Sequence, residues 1–183
     1  MPDILIVAAT GRELSGRDGL VCGVGPVEAA AATARALAVR PWGAVLHVGV
    51  AGGRGLAPGT VVIGSESAYS DLSAAIPLVD RVAADARLVE AARRAVPDAL
   101  VLPIGTSAAV GSVGDDVAIE AMEGFGVLRA AALAGVPAVE VRAVSNEIGE
   151  PDRALWRIED ALKALDRVLP SLVEQILSEL RTV

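Results

Sequence analysis

One cysteine, one histidine, one lysine and four aromatic residues are all that 183 positions contain of those types. A lone Cys22 excludes an intramolecular disulfide. With His47 as the only histidine, there are too few ligands for the four-coordinate sets that hold structural zinc, and no metal or cofactor is expected. Aromatics are 2% of a chain that is 53% hydrophobic, so the core must be built from Ala, Val, Leu and Ile. No apolar run reaches the length of about 18 residues that a spanning helix needs. The opening MPDILIVAAT lacks a basic stretch before its apolar run and carries Asp3 inside it. It reads as a first strand, not a signal peptide. The formal charge of -7 argues against nucleic acid or an anionic membrane as partner. These absences predict one cytoplasmic domain over residues 1–183.

What remains is an alternation of apolar strands and helices. Asp3 to Ala9, Gly19 to Val24, Trp42 to Val50 and Thr60 to Ser70 read as strands. The helix Val27 to Val39 has Pro26 at its favoured first position, and Asp85 caps Ala86 to Val96. Ser73 to Ala84 fits neither pattern. Leu100 to Ile104 and Ala108 to Val113 read as short strands, with Gly111 to Asp116 a loop. Val117 to Met122 is a strand, Phe125 to Ala134 a helix stopped by Gly135 and Pro137, and Ala138 to Val144 a strand. Asp152 opens a long amphipathic helix that Pro170 must kink or split. The pattern predicts an α/β fold with a central, mostly parallel or mixed sheet flanked by helices.

Chemistry is expected where apolar strands end in polar residues, because ligands of open α/β sheets bind at strand carboxyl ends. Glu13, Ala51–Gly53, Met122–Glu123 and Ser145–Asn146 all stand at such ends. Each has a plain structural alternative: a solvated loop acid for Glu13, a helix N-terminal acid for Glu123, an Asx turn for Asn146. GVGPVEAA at 23–30 is Gly-rich but is neither a dinucleotide fingerprint nor a P-loop. His47 inside an apolar strand reads as a satisfied core histidine, and Asp115–Asp116 as a solvated loop, since adjacent strand residues point oppositely.

Taken together, Glu13 after the first strand, HVGVAGG at 47–53, AMEGFGV at 121–127 and VRAVSN at 141–146 resemble the purine nucleoside phosphorylase and nucleosidase superfamily. The likeness is to its hydrolase branch, which holds methylthioadenosine/S-adenosylhomocysteine nucleosidases and futalosine hydrolases. It runs from Ile4 to about Leu165 and implies a three-layer phosphorylase/hydrolase-like fold. It implies that Glu13 activates water and that Arg142 helps position that carboxylate and water. Glu123 would hold the ribose hydroxyls, Met122 pack on the sugar, and Ala51 and Gly52 line base and ribose. Asn146 stands where adenine-specific members carry an aspartate that serves the purine N7.

An N7-protonated 6-oxopurine shows one donor and one acceptor, and a carboxamide offers the complement. Protonated adenine shows two donors, leaving the Asn146 amino group opposed at a cost of about 1–3 kcal/mol if buried. With SNEIGEPDRALW at 145–156, this favours a futalosine hydrolase-like N-glycosidase of menaquinone biosynthesis acting on futalosine (or aminodeoxyfutalosine) and releasing hypoxanthine (or adenine). A methylthioadenosine/S-adenosylhomocysteine nucleosidase, a phosphorylase and a non-catalytic nucleoside-binding protein are the rivals. Arg12, Arg17 and Arg54 are the cations a phosphorylase would use, although the first loop is Thr-Gly-Arg-Glu-Leu and not the phosphorylase Gly-Asp-Pro-x-Arg type. Compared with the family, Leu72 to Asp85 is trimmed and Ser107 to Asp116 compressed, where relatives place an aromatic on the base. Stacking falls to Phe125, to Val117 or Ile119, or to nothing. The resemblance also implies a homodimer or larger homo-oligomer.

Overall fold

The computed structural model describes residues 3–72, 76–114 and 117–182. In chain order it contains β1 (Ile4–Ala8), β2 (Leu20–Val21), α1 (Pro26–Val39), β3 (Ala44–Gly53), β4 (Val61–Tyr69) and β5 (Arg81–Ala83). Then follow α2 (Ala86–Ala95), β6 (Leu100–Thr106), β7 (Ile119–Ala121), α3 (Gly124–Leu133), β8 (Ala138–Glu147) and α4 (Ile158–Arg181). The sheet is mixed. β3 runs parallel to β1 and β8, and β4 is parallel to β6 but antiparallel to β8.

Strand pairing closes on itself. β3 pairs with β8, β8 with β4, β4 with β6, β6 with β7, and β7 returns to the tip of β3. Inside this ring Ala51, Val62, Ile104, Ile119, Ala121 and Val144 pack together. These small and β-branched side chains suit the narrow interior of a short ring. Outside it the strands form the middle of three layers. One face packs against Leu88, Ala91 and Ala92 of α2 and Leu169, Leu172 and Ile176 of α4. The other packs against Ala29 of α1 and Val127, Leu128 and Ala131 of α3. α1 and α3 approach closely because Gly126 has no Cβ, which would otherwise fall on the Pro26 carbonyl and the Ala30 amide.

The structure departs from the sequence pattern in several places. Residues 108–113 form a turn, not a strand. The Glu120 carboxylate accepts the N–H groups of Gly111, Ser112 and Val113 at 2.7, 2.8 and 3.2 Å, donors that a strand would have needed for its ladder. The segment 19–24 shrinks to the two residues of β2, and Asp115–Asp116 and residues 73–75 lie outside the described residues. Asp152 caps only a 3-10 turn at Arg153–Leu155, through its side chain and the Ala154 N–H at 2.9 Å. Trp156 is extended, and α4 starts two residues later. α4 then runs through Pro170 as one helix of 24 residues.

Strand ends also shift. Ala51–Gly53 and Ser145–Asn146 lie within β3 and β8, not in loops after them. β7 is antiparallel to β3, so the common-carboxyl-end picture does not hold. Glu123 reaches the same place because β7 crosses the tip of β3, Gly52 opposite Glu120 and Gly53 opposite Ile119.

Candidate active site

A cavity of about 440 Å³ opens at the C-terminal tips of β3 and β8. Its floor is polar and buried: Glu13, Glu120, Glu123, Ser145 and Asn146 line it together with Ala51, Gly52 and Met122. Its mouth carries Arg12, Val24, Val110, Arg153, Trp156, Ile158 and Leu162. Thus Glu13, Glu123 and Asn146, far apart in sequence, share one wall-to-wall space.

Glu13 follows β1 in a turn and is 6% exposed. Its Oε2 accepts from the Thr10 N–H and hydroxyl, each at 2.9 Å, and its Oε1 from the Val50 N–H at 3.1 Å. Three donors hold the carboxylate in place and leave lone pairs for a water. Glu123 stands at the N-cap of α3 but does not cap it. Its Oε1 accepts from the Gly25 N–H at 3.1 Å and its Oε2 from Arg142 Nη2 at 3.3 Å. Gly25, at φ 99°, can present that N–H because it has no side chain to be strained there.

Arg142 is 1% exposed and does not line the cavity. It lies behind the floor, across Gly49 of the neighbouring strand. A Cβ on Gly49 would fall on Arg142 Nη1 and within 2.8 Å of Glu13 Oε1. Nε donates to Glu140 at 2.7 Å and Nη1 to the Val50 carbonyl at 3.4 Å. The three carboxylates around it hold the guanidinium firmly protonated. Its direct action is therefore on Glu123 and on the strand that carries the Val50 N–H, not on a molecule in the cavity.

Asn146 is aimed by an irregularity. Ala51 is opposite Val144 but Gly52 is opposite Asn146, so Ser145 is an extra residue on β8. A bulge of this kind re-aims side chains, and here two successive residues both face the cavity. Ser145 Oγ donates to Asn146 Oδ1 at 2.7 Å, and Asn146 Nδ2 donates to the Glu147 carbonyl at 2.9 Å. One lone pair and one N–H remain on the carboxamide. Gly52 makes room for it: a Cβ there would stand 3.3 Å from Nδ2.

The three residues expected to stack on the base do not reach the cavity. Ile119 is inside the strand ring, Val117 faces a separate hollow beside Tyr69, and Phe125 packs on Tyr69 with ring centroids 5.2 Å apart. The aromatic at the mouth is Trp156, whose Nε1 donates to the Glu150 carbonyl at 3.1 Å. It lies in the SNEIGEPDRALW stretch, where the chain is extended at Trp156 and α4 has not yet begun. Glu120, which the sequence pattern does not single out, secures the turn at 111–113. Of the three arginines a phosphate would need, Arg12 at the mouth pairs with Glu159, Arg17 pairs with Asp166 at 2.8 Å, and Arg54 reaches the Gly114 carbonyl at 3.4 Å. Arg17 and Arg54 do not line the cavity.

Residues 13–114 match the Phosphorylase superfamily. The futalosine hydrolase of Streptomyces coelicolor is 39% identical over 82% of this chain and 75% of the relative. That of Acidothermus cellulolyticus is 36% identical over 90% of this chain and 78% of the relative. Among solved structures, a futalosine hydrolase mutant of Helicobacter pylori superposes with a TM-score of 0.85 at 16% identity, covering 96% of this chain and all of that one. The methylthioadenosine/S-adenosylhomocysteine nucleosidase of Colwellia psychrerythraea, in complex with adenine, gives 0.84 at 20% identity over 95% of both chains. At such identities the structural likeness speaks for the fold.

Proposed function

The chain belongs to the phosphorylase superfamily, in its futalosine hydrolase group, and on that premise we propose that it hydrolyses the N-glycosidic bond of futalosine, releasing hypoxanthine. The observation that carries this reading is the convergence of Glu13, Glu123 and Asn146 on one cavity.

Cleavage of the C1′–N9 bond leaves positive charge on the ribose and negative charge on the purine. Glu13, Glu123 and Asn146 each answer one part of that change. Glu13 takes a proton from the water whose oxygen attacks C1′. Glu123 accepts from the ribose hydroxyls and lies close to the developing cation. Met122 packs on the sugar, and Ala51 and Gly52 flank base and ribose. The free lone pair and N–H of Asn146 meet N7–H and O6 of the leaving hypoxanthine. That pairing is complete only once N7 is protonated, so it favours the transition state over the bound substrate. A carboxamide has no proton to give, and the N7 proton comes from solvent.

Hydrolysis is favoured over phosphorolysis because Arg17 and Arg54 do not line the cavity, and Arg12, at its mouth, pairs with Glu159. An oligomer and a place in menaquinone synthesis are consistent with the group. The test is a panel of futalosine, inosine and methylthioadenosine, with and without phosphate, with the released base identified. Phosphate-independent release of hypoxanthine from futalosine is the expected result. Faster release of adenine from methylthioadenosine rejects the base assignment, and a phosphate-dependent rate rejects hydrolysis.

A further inference from the structure

Behind the floor lies a second, fully buried layer. Parallel pairing of β3 with β8 sets His47 beside Glu140 and Gly49 beside Arg142. Alternate residues of a strand share a face, so these groups form one cluster. His47 and Glu140 are 0% exposed and Arg142 1%. The cluster has fixed polarity. His47 Nδ1 lies 3.0 Å from the Val7 carbonyl, which can only accept, so Nδ1 carries the proton. Nε2 is then a lone pair, and it receives Arg142 Nη2 at 2.5 Å. Burial, with Arg142 next to it, holds the imidazole neutral by pushing its pKa well below the ordinary value. On the other edge of the guanidinium, Glu140 Oε1 accepts from Nε.

Glu140 fits its slot closely. It lies under the start of α3, where Gly124 leaves the space, since a Cβ there would fall on the carboxylate. Its Oε2 makes no close hydrogen bond; the Ser67 hydroxyl, which pairs with Thr106 at 3.0 Å, is the polar group that reaches the carboxyl. A buried acid with one oxygen lacking a close hydrogen bond and a buried histidine are costly for a purely structural core. Both converge on the arginine whose remaining Nη2 hydrogen meets Glu123, and neither touches the cavity.

We propose that His47 and Glu140 are positioning residues that clamp Arg142 from two edges, so that its Nη2 orients Glu123 toward the ribose hydroxyls. Two fixed acceptors, one neutral and one anionic, define the guanidinium plane. Without His47, Nη2 gains a free hydrogen and the Glu123 contact loses its direction. Without the Glu140 charge, the guanidinium is drawn toward Glu13 and Glu123, the other two acids that act on it. The proposal rests on the nucleosidase reading, in which Glu123 holds those hydroxyls.

The test compares kcat and KM for futalosine with those for its 2′-deoxy and 3′-deoxy analogues. The wild-type protein should prefer the riboside; absence of any wild-type hydrolysis sinks the nucleosidase reading, and the proposal with it. His47→Leu should lower kcat on futalosine about tenfold while nearly erasing the preference over at least one deoxy analogue, as misplacement of an aligned group does. His47→Gln, which keeps an acceptor at similar reach, should restore most of both. Glu140→Gln keeps volume and the Nε contact, and should reduce the preference about threefold; it carries the test if His47→Leu does not fold. A merely structural role predicts equal loss on all three substrates. Preference unchanged in both His47→Leu and Glu140→Gln, or in Glu140→Gln alone where the leucine variant is unfolded, overturns the proposal.

Discussion

At the floor of the cavity Glu13, Glu120, Glu123, Ser145 and Asn146 are 1–7% exposed, and each is hydrogen-bonded to the protein. At the mouth Val24 and Val110 are 56% and 44% exposed, and Arg153 lies over the Trp156 ring at 5.4 Å from a 3-10 turn. Ser145 and Asn146 of the floor stand on β8, whose ladder with β3 is continuous from Val45 to Gly53 apart from the bulge, and Glu120 on β7, which pairs with the tip of β3. The mouth is held by turns and by the first residues of α4. Asn146 is fixed by its strand, whereas Glu13, in a turn, and Glu123, at a helix start, are fixed by the N–H groups of Thr10, Val50 and Gly25 and by Arg142. Groups that only bound the entrance are on segments whose substitution leaves the sheet intact.

The sharpest way to break this comparison is Glu13→Gln. Loss of the water-activating carboxylate should lower base release about 10³-fold, within the range for a lost general base. Futalosine binding, measured by calorimetry, should stay within a few-fold. An unchanged rate removes that role from Glu13. Next in size is Gly49→Ala, at a residue that does not itself line the cavity. Its Cβ would displace Arg142 and Glu13, with an expected destabilisation of about 1–3 kcal/mol, as for other overpacked sites. Urea unfolding should show that loss alongside a fall in kcat of about 100-fold. Full activity would mean that the layer behind the floor is passive.

Asn146→Asp addresses the base end of the floor. An aspartate accepts from both donors of N7-protonated adenine, so kcat/KM for adenine over hypoxanthine nucleosides should rise about tenfold, equivalent to about 1.4 kcal/mol. A smaller effect is expected at the mouth. Trp156→Ala should raise KM about three- to tenfold with kcat little changed; a fall in kcat instead would make the mouth part of the catalytic floor. The smallest expected effect is a pH slope in stability. The His47 pKa is depressed in the folded protein, so its contribution is present above about 6.5, the unfolded value, and is lost as pH falls below it. Subtracting unfolding free energies of His47→Gln from those of wild type should therefore give a difference that falls with pH below about 6.5, by at most about 1.4 kcal/mol per unit. Glu140 acts in the opposite sense. Burial raises its pKa from 4.5, so its contribution is full below about 4.5 and fades as pH rises through the folded value. The subtraction removes that part because both proteins retain Glu140.

Local chemistry was legible without coordinates wherever one residue type acts on its own neighbours. Asp85 caps α2, accepting from the Arg87 and Leu88 N–H groups, and Pro26 starts α1, as their types require. The apolar run Trp42 to Val50 reads as a strand, and β3 covers Ala44–Gly53. Glu13, Glu123 and Asn146 stand out in the sequence because they are polar residues closing apolar strands, whereas Glu120, inside such a run, does not. Direction was not legible. Whether Phe125 faces a ligand or Tyr69, and whether Ile119 faces a base or the inside of a ring, depends on how strands close in space. The start of α4 was misplaced because Asp152 caps a 3-10 turn as readily as a helix.

From composition and pattern alone came the α/β class, the order of most elements and Glu13, Glu123 and Asn146 as candidates at strand ends; Arg142 came only with the family resemblance. Only the tertiary structure decided that β7 lies antiparallel across the tip of β3, that a bulge at Ser145 turns Asn146 into the cavity, and that His47 belongs to Arg142. The reason is range. Periodicity and capping are set by atoms a few residues apart, whereas ring closure, bulges and buried ion clusters are settled by contacts between strands about a hundred positions distant, where register and not residue type determines what a side chain meets.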